Sequence, residues 1–279
     1  MRALALGLGA MLLVAAACAQ APAVNAGGVV NAASYATQGV SPGSIIGIFG
    51  TNLAGALAFS DSIPLSVTLG TVTSVTFNGV SAPLYYAGPL QVNAQMPFES
   101  LASGSTSATV NVVVTTTTGG ASAPQPVTVV PAMPGIFTVS ETGVGQAIAT
   151  DNNDGAIAAP TGSIQGANTH PWSISSGHAL VIWCTGLGAV TPTIADGANS
   201  YDSSGNLTLR QVPPANTPVV LIGGVAAKVL FAGLAPAFVG EYQVDVLPGT
   251  GTPTGNTVTL QIQMNNVTTT NQVTIAVGN

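Results

Sequence analysis

PGSIIGIFGTNL at residues 42–53 returns as SGHALVIWCTGL at residues 176–187, an offset of 134 that sets Phe49 opposite Trp183 and Gly50 opposite Cys184. Three further blocks follow in the same order. NGVSAPLYYAG (78–88) matches GGVAAKVLFAG (223–233) at an offset of 145, Gln91-Val92-Asn93 matches Gln243-Val244-Asp245 at 152, and TVNVVV (109–114) matches TVTLQI (257–262) at 148. Four blocks in one order mark an internal duplication. The drifting offset places the insertions and deletions in loops, where chain length costs least.

Each copy reads as β-strands. Val258, Leu260, Ile262 and Met264 alternate with Thr259, Gln261 and Gln263, the period of two that gives one dry and one wet face. Asn265-Asn266 interrupts that run and Gly119-Gly120 interrupts its counterpart; both dipeptides tolerate the positive φ of a tight hairpin. Residues 45–49 and 179–183 are apolar without alternation, so those strands are expected to be covered on both faces, the second cover coming from the neighbouring domain. Val, Thr and Ile fill the strands, Gly, Pro, Asn and Ser the gaps. The expected fold is all-β: two tandem immunoglobulin-like β-sandwiches, at 20–131 and 132–279, after a signal peptide at 1–19. The boundary falls near Pro131 and Pro134, where a final strand at 127–130 ends.

Composition narrows the function. Only 4% of the 279 residues are charged, against roughly a quarter in an ordinary soluble domain, while 47% are apolar, with 34 Gly and 19 Pro. Helical surfaces need far more charge. Three basic residues against nine acidic ones leave only Arg210 and Lys228 once Arg2 is removed, which excludes nucleic acid as a partner. The same scarcity argues against general acid/base catalysis. The first residues, Met1-Arg2, an apolar run over 3–17 and small residues at Ala15, Ala17 and Ala19, have the form of a secretory leader cut after Ala19. Cys18 is the alternative, a lipidation site with a degraded lipoprotein signal. Beyond the leader no apolar stretch is long enough to span a membrane, and if Cys18 leaves, Cys184 has no disulfide partner.

GVVNAASYATQGVSPGSIIGIFGTNL (28–53), PLYYAGPLQVNAQMPF (83–98), PGIF (134–137), TGLG (185–188) and FAGLAPAFVGEYQVDVLP (231–248) together resemble the Solibacter-type uncharacterised C-terminal domain family, in order and over nearly all of the mature chain. Each half also resembles the IPT/TIG type of immunoglobulin-like domain. The resemblance implies a paired β-sandwich module of exported bacterial proteins and supplies no catalytic residues. Two features depart from the pattern. The module is nearly the whole chain here, and QVDVLP (243–248) is one residue shorter than QVNAQMP (91–97).

Candidate sites are few. Gly39-Val40-Ser41-Pro42-Gly43 fits a nucleophile-elbow pattern, but Pro42 lacks the N–H that an oxyanion hole takes from the residue after the serine, so a turn before a strand is expected. His170 and His178 stand eight apart with no Cys nearby, short of a zinc ligand set. Asp151, Asn153 and Asp154 form part of a calcium-loop pattern, one residue short and without the distal Glu, and read better as a polar hairpin turn. Cys184 reads as a small buried strand residue. Trp183, aligned with Phe49, is expected in the core. Trp172 in His170-Pro171-Trp172 is expected on a loop, packed over the domain junction or, with His170 and Tyr201, forming a sugar platform; the Tyr85-Tyr86 pair is also available. The favoured reading is an exported, non-catalytic structural or adhesive module needing no cofactor, secreted, periplasmic or at the cell surface. A carbohydrate-binding module taking a polysaccharide partner is the alternative, and an exported hydrolase trails because no triad or carboxylate pair can be assembled. Surface proteins are further possible partners. Thr-rich edges at 115–118 and 268–270, poorly guarded by charge, point to self-association.

Overall fold

A computed structural model describes residues 20–269 and 272–279; the leader, Cys18 and Thr270 lie outside them. Apart from two single 3-10 turns, Phe98–Ser100 and Pro214–Asn216, the regular structure is all strand. No helix among the described residues is long and apolar enough to cross a membrane.

The chain folds as two tandem immunoglobulin-like β-sandwiches. In the first, one sheet has the order Ala23–Asn31, Ile45–Thr51, Gln91–Gln95, Leu84–Ala87, Ala58–Phe59, and the other the order Gln125–Val129, Ala108–Thr116, Val72–Phe77, Val80–Ser81, all antiparallel. The second sandwich repeats the plan with additions. Its first sheet runs Thr169–His170, Ile157–Ala158, Ala149–Asp151, Leu180–Thr185, Tyr242–Leu247, Lys228–Leu234; its second runs Gly145–Gln146, Val273–Gly278, Gly255–Met264, Val219–Ile222, Val225–Ala226. The strands of the first pair of sheets end at Val129 and those of the second pair begin at Gly135.

The duplication is written into the ladder registers. Phe49 pairs with Gln91 and Ile48 with Val92; Trp183 pairs with Gln243 and Ile182 with Val244. Phe77 pairs with Val112 as Ile222 pairs with Leu260. Side chains repeat as well: Gln91 Nε2 donates to Asn93 Oδ1 at 2.7 Å, and Gln243 Nε2 donates to Asp245 Oδ1 at 3.2 Å. The tight hairpins match too, Asn78-Gly79 and Gly223-Gly224 all having positive φ, as do Asn265 and Asn266 in the two-residue turn that reverses Gly255–Met264 into Val267–Thr268. Such turns match the twist of the strands they join.

Each sandwich has its own apolar core, Ile46, Ile48, Phe77, Val92 and Val112 among the residues of the first, Trp172, Leu180, Ile182, Tyr242, Val244 and Leu260 among those of the second. The alternation hidden in residues 179–183 then becomes visible. Leu180, Ile182 and Cys184 point inward and are buried, whereas Val181 and Trp183 point outward and are half-buried. Trp183 therefore corrects the expectation of a core aromatic: it lies on the outer face, edge-on to Phe238 at 6.3 Å, its Nε1 donating to Thr150. The outer side of strand Ile45–Thr51 meets the second sandwich at its start, where Ile45 N donates to Thr185 Oγ1 at 2.9 Å.

Polar groups bridge the two sandwiches. Thr185 Oγ1 in turn donates to the Gly240 carbonyl, Asn31 Nδ2 to Met133, Gly197 N to Gln95 Oε1, Phe98 N to Asp196 Oδ1 and the Tyr85 hydroxyl to Val239. Close backbone approach fixes residue type here. A Cβ on Gly186, at φ 90°, would lie 2.0 Å from the Met133 carbonyl oxygen, a contact only glycine avoids. Burial pushes the carboxyl of Glu241 up to about 7, and burial with the Glu99 carboxylate nearby pushes Asp196 up to about 6 against the opposing hydrogen bond from Phe98.

Candidate functional site

The polar residues of the second sandwich gather at the end of strand Ala149–Asp151. That strand is short because Asp151 opens a turn: its Oδ1 accepts the Asn153 N–H at 2.9 Å, its carbonyl accepts Gly155 N, and Gly155 takes φ 73°. Asp154 repeats the device one step on, its Oδ1 accepting Ala156 N at 3.0 Å, and the chain returns as Ile157–Ala158. The polar hairpin expected at 151–155 is present. Short side-chain acceptors two residues ahead of an N–H produce this local turn.

The residues that complete the cluster arrive from farther along. Thr169–His170 adds to the sheet edge parallel to Ile157–Ala158, with Ala158 opposite His170. His170 Nε2 thereby comes within 3.1 Å of Asp154 Oδ2, while His170 Nδ1 lies 3.0 Å from the Pro171 carbonyl. His178, entering Leu180–Thr185, places Nδ1 3.4 Å from Asp151 Oδ1. Both histidines of the chain thus meet the two carboxylates of one turn. Ligand-capable atoms of Asp151, Asp154 and His170 all lie within 4.8 Å of one another. Asp151 is buried, whereas Asp154 is exposed and His170 half-buried. The Ala156 N–H and then His170 lower the Asp154 carboxyl, and the Pro171 carbonyl, with Asp154, raises His170 against its partial burial.

Trp172 corrects the reading of a loop aromatic. It is 0% exposed, pairs in parallel with Val277 through the two-residue strand Trp172–Ser173, and belongs to the core of the second sandwich. Its Nε1 donates to the His178 carbonyl at 3.2 Å, so it anchors the cluster from below and cannot offer a face to a sugar. Tyr201 is elsewhere, exposed on the 199–209 loop and bridged to Leu207. The trio Trp172, His170 and Tyr201 therefore does not form one platform. Of the tyrosine pair, Tyr85 is turned into the junction, and Tyr86 packs at 5.2 Å against Phe59, which is 70% exposed.

The remaining candidates stay local. Ser41 is buried, its carbonyl accepting the Ser44 hydroxyl in the turn that leads into Ile45–Thr51. Cys184 is buried among core residues, where desolvation raises its thiol far above the ordinary value and keeps it from reacting. The convergence of Asp151 and Asp154 with both histidines was not legible in the sequence, because it depends on the parallel pairing of Ile157–Ala158 with Thr169–His170.

No protein-family model and no curated protein matches this chain. Among solved structures, the crystal structure of the I9-I11 tandem from titin aligns over 92% of the chain at 8% identity and a TM-score of 0.21; the chain spans 66% of that structure's length. The fold assignment rests on the sheets themselves.

Proposed function

We propose that the chain is a non-catalytic structural or adhesive module of the bacterial cell surface or extracellular space. The observation that carries this reading is the junction. Asn31, Gln95, Thr185 and Asp196 each satisfy a backbone group of the opposite sandwich or of the segment joining the two. Buried polar groups so paired cost free energy when separated, so the two sandwiches are held at a set angle and present their loops at a set spacing. That suits a spacer or display element, whereas an enzyme closing on substrate needs a junction that opens. Export is supported by the leader-like residues 1–19, and the resemblance to the Solibacter-type family points the same way.

Fractionation of cells producing the full chain tests the reading. The processed protein is expected outside the cytoplasm, starting near Gln20 or carrying lipid on Cys18. Quantitative retention in the cytoplasm with Met1 intact overturns it. A second reading, polysaccharide binding, now depends on Phe59 and Tyr86, whose rings pack 5.2 Å apart, tilted by 54°, at the edge of the first sandwich. It predicts that Phe59→Ala abolishes any signal on a glycan array, and signal unchanged by Phe59→Ala removes it.

A further inference from the structure

We propose that Asp151, Asp154 and His170 bind one divalent transition-metal ion of the zinc class, with His178 backing Asp151. A carbonyl oxygen only accepts, so the contact of His170 Nδ1 with the Pro171 oxygen at 3.0 Å assigns the ring hydrogen to Nδ1. In the neutral ring Nε2 then carries a bare lone pair, and it is aimed at Asp154 Oδ2, 3.1 Å away. Two acceptors at that distance repel unless Nε2 takes a second proton and donates to Asp154 as an imidazolium, or a metal ion takes the lone pair in that proton's place. A metal-bound histidine has this form, one nitrogen on the ion and the other donating to a backbone carbonyl that fixes the ring.

The other ligands are in place. Two atoms each about 2.0–2.2 Å from a tetrahedral zinc ion stand roughly 3.3–3.6 Å apart. The three ligand atoms here lie within 4.8 Å of one another, so small rotations of exposed Asp154 and half-buried His170 close the set. Asp151 supplies a carboxylate that is buried yet meets no Lys or Arg among the described residues. Its ion-pair partner is His178. Buried carboxylates are ordinarily paired or metal-bound. The chemistry of the set selects the ion. One imidazole and two carboxylates suit zinc and its neighbours, whereas calcium wants six to eight oxygens, more than this turn offers. Three protein ligands leave a fourth position for water or for a group from a partner.

Isothermal titration of the full chain with Zn²⁺, and with Ca²⁺ as competitor, tests the site. One Zn²⁺ per chain is expected, little displaced by excess Ca²⁺. His170→Ala and Asp154→Asn, at partly exposed positions, are each expected to weaken binding at least about tenfold with an unchanged circular dichroism spectrum. Asp151→Asn is expected to do the same while keeping its turn, since Asn31 makes that turn in the first sandwich. In NMR spectra Zn²⁺ should shift the His170 ring signals before any others. The proposal is overturned by absence of Zn²⁺ uptake at micromolar concentration, by equal affinity in all three variants, or by a His170 ring that titrates with pH identically with and without Zn²⁺. Preference for Ca²⁺ at these residues overturns the assignment of the ion.

Discussion

Asn31 in the first sandwich and Asp151 in the second hold the same place in the strand ladder, one pairing with Ile46 and the other with its repeat counterpart Leu180. Both are buried, and both use Oδ1 to accept backbone N–H groups just ahead, Ala33 and Ser34 in one case, Asn153 in the other. The difference lies in the second atom of the side chain and in the loop that follows. Asn31 has an amide hydrogen to give, and it goes to Met133 at the domain junction. Asp151 has a second oxygen and a charge, and it gathers histidine. The repeat offset is 120 before the following loop and 134 after it, so the second copy carries 14 extra residues there. The longer excursion contains Asp154, His170 and Trp172. One inherited turn thus became a staple in one copy and a charged site in the other.

The largest effect is expected at Trp172, where truncation to Ala should cost about 3–5 kcal/mol by emptying a core position, while Trp183→Ala on the outer face should cost less than half as much. Urea unfolding followed by far-ultraviolet dichroism measures both, and equal costs would mean that the two tryptophans are equivalent. Next comes the reciprocal exchange. Asn31→Asp should lose about 2–4 kcal/mol, because a carboxylate would replace the donor to Met133 and be buried facing a carbonyl; Asp151→Asn should stay within about 1 kcal/mol of the parent. Similar losses at the two positions would erase the distinction drawn between them.

Thr185→Val should cost about 1–3 kcal/mol, since it leaves the Ile45 N–H and the Gly240 carbonyl unpaired at the junction. Acidity is expected to act in the same region. Glu241 at about 7 and Asp196 at about 6 lie above their ordinary 4.5 and 3.8, so the folded state holds protons that the unfolded state has released. Their contribution is full below the ordinary values and is lost as pH rises through the folded ones. Asp154 and Asp202, both lowered, act only below about pH 4 and do not offset it. The melting temperature should therefore be higher at pH 5 than at pH 8, by roughly 2–4 °C for each kcal/mol involved; His170 and Asp245, both raised, act in the same direction, and Glu241→Gln should flatten part of that slope. A melting temperature that rises with pH over this interval would contradict the assignment. The smallest effect is at the Asn265-Asn266 turn, where Asn266→Gly, at φ 63°, relieves a strained residue and should change stability by no more than about 1 kcal/mol in either direction.

How much of this was legible in the sequence depended on whether the signal was local. The four repeated blocks predicted two copies of one sandwich, and the ladder registers match between the copies because strand pairing copies with the residues that make it. The hairpin turns were readable from Asn265-Asn266 and from the Asp151 to Gly155 run for the same reason. Trp183 was misplaced because LVIWC (180–184) is apolar at every position, and such a run conceals which parity faces inward; the half-buried Val181 and the buried Leu180 settle it only once the sheet is seen. Trp172 was misplaced because its two-residue strand pairs with Val277 and Gly278, about a hundred residues away. The histidines looked isolated since no spacing rule joins 154 to 170. Asn31 and Asp151 went unmatched because their surroundings, VVNAAS and ATDNND, share only the turn and not the letters.

Strand Val273–Gly278 lies between antiparallel Gly255–Met264 on one side and, on the other, Gly145–Gln146 and Trp172–Ser173, both parallel to it. Traction on its far end is directed along the strand axis, across hydrogen bonds that stand perpendicular to the pull. Those bonds must slide together instead of unzipping in turn. The buried indole of Trp172 and the Ser173 hydroxyl, which donates to the Asn279 carbonyl, add grip at the point where the load enters. Sliding Val273–Gly278 along its own axis would therefore have to break its antiparallel and parallel ladders together.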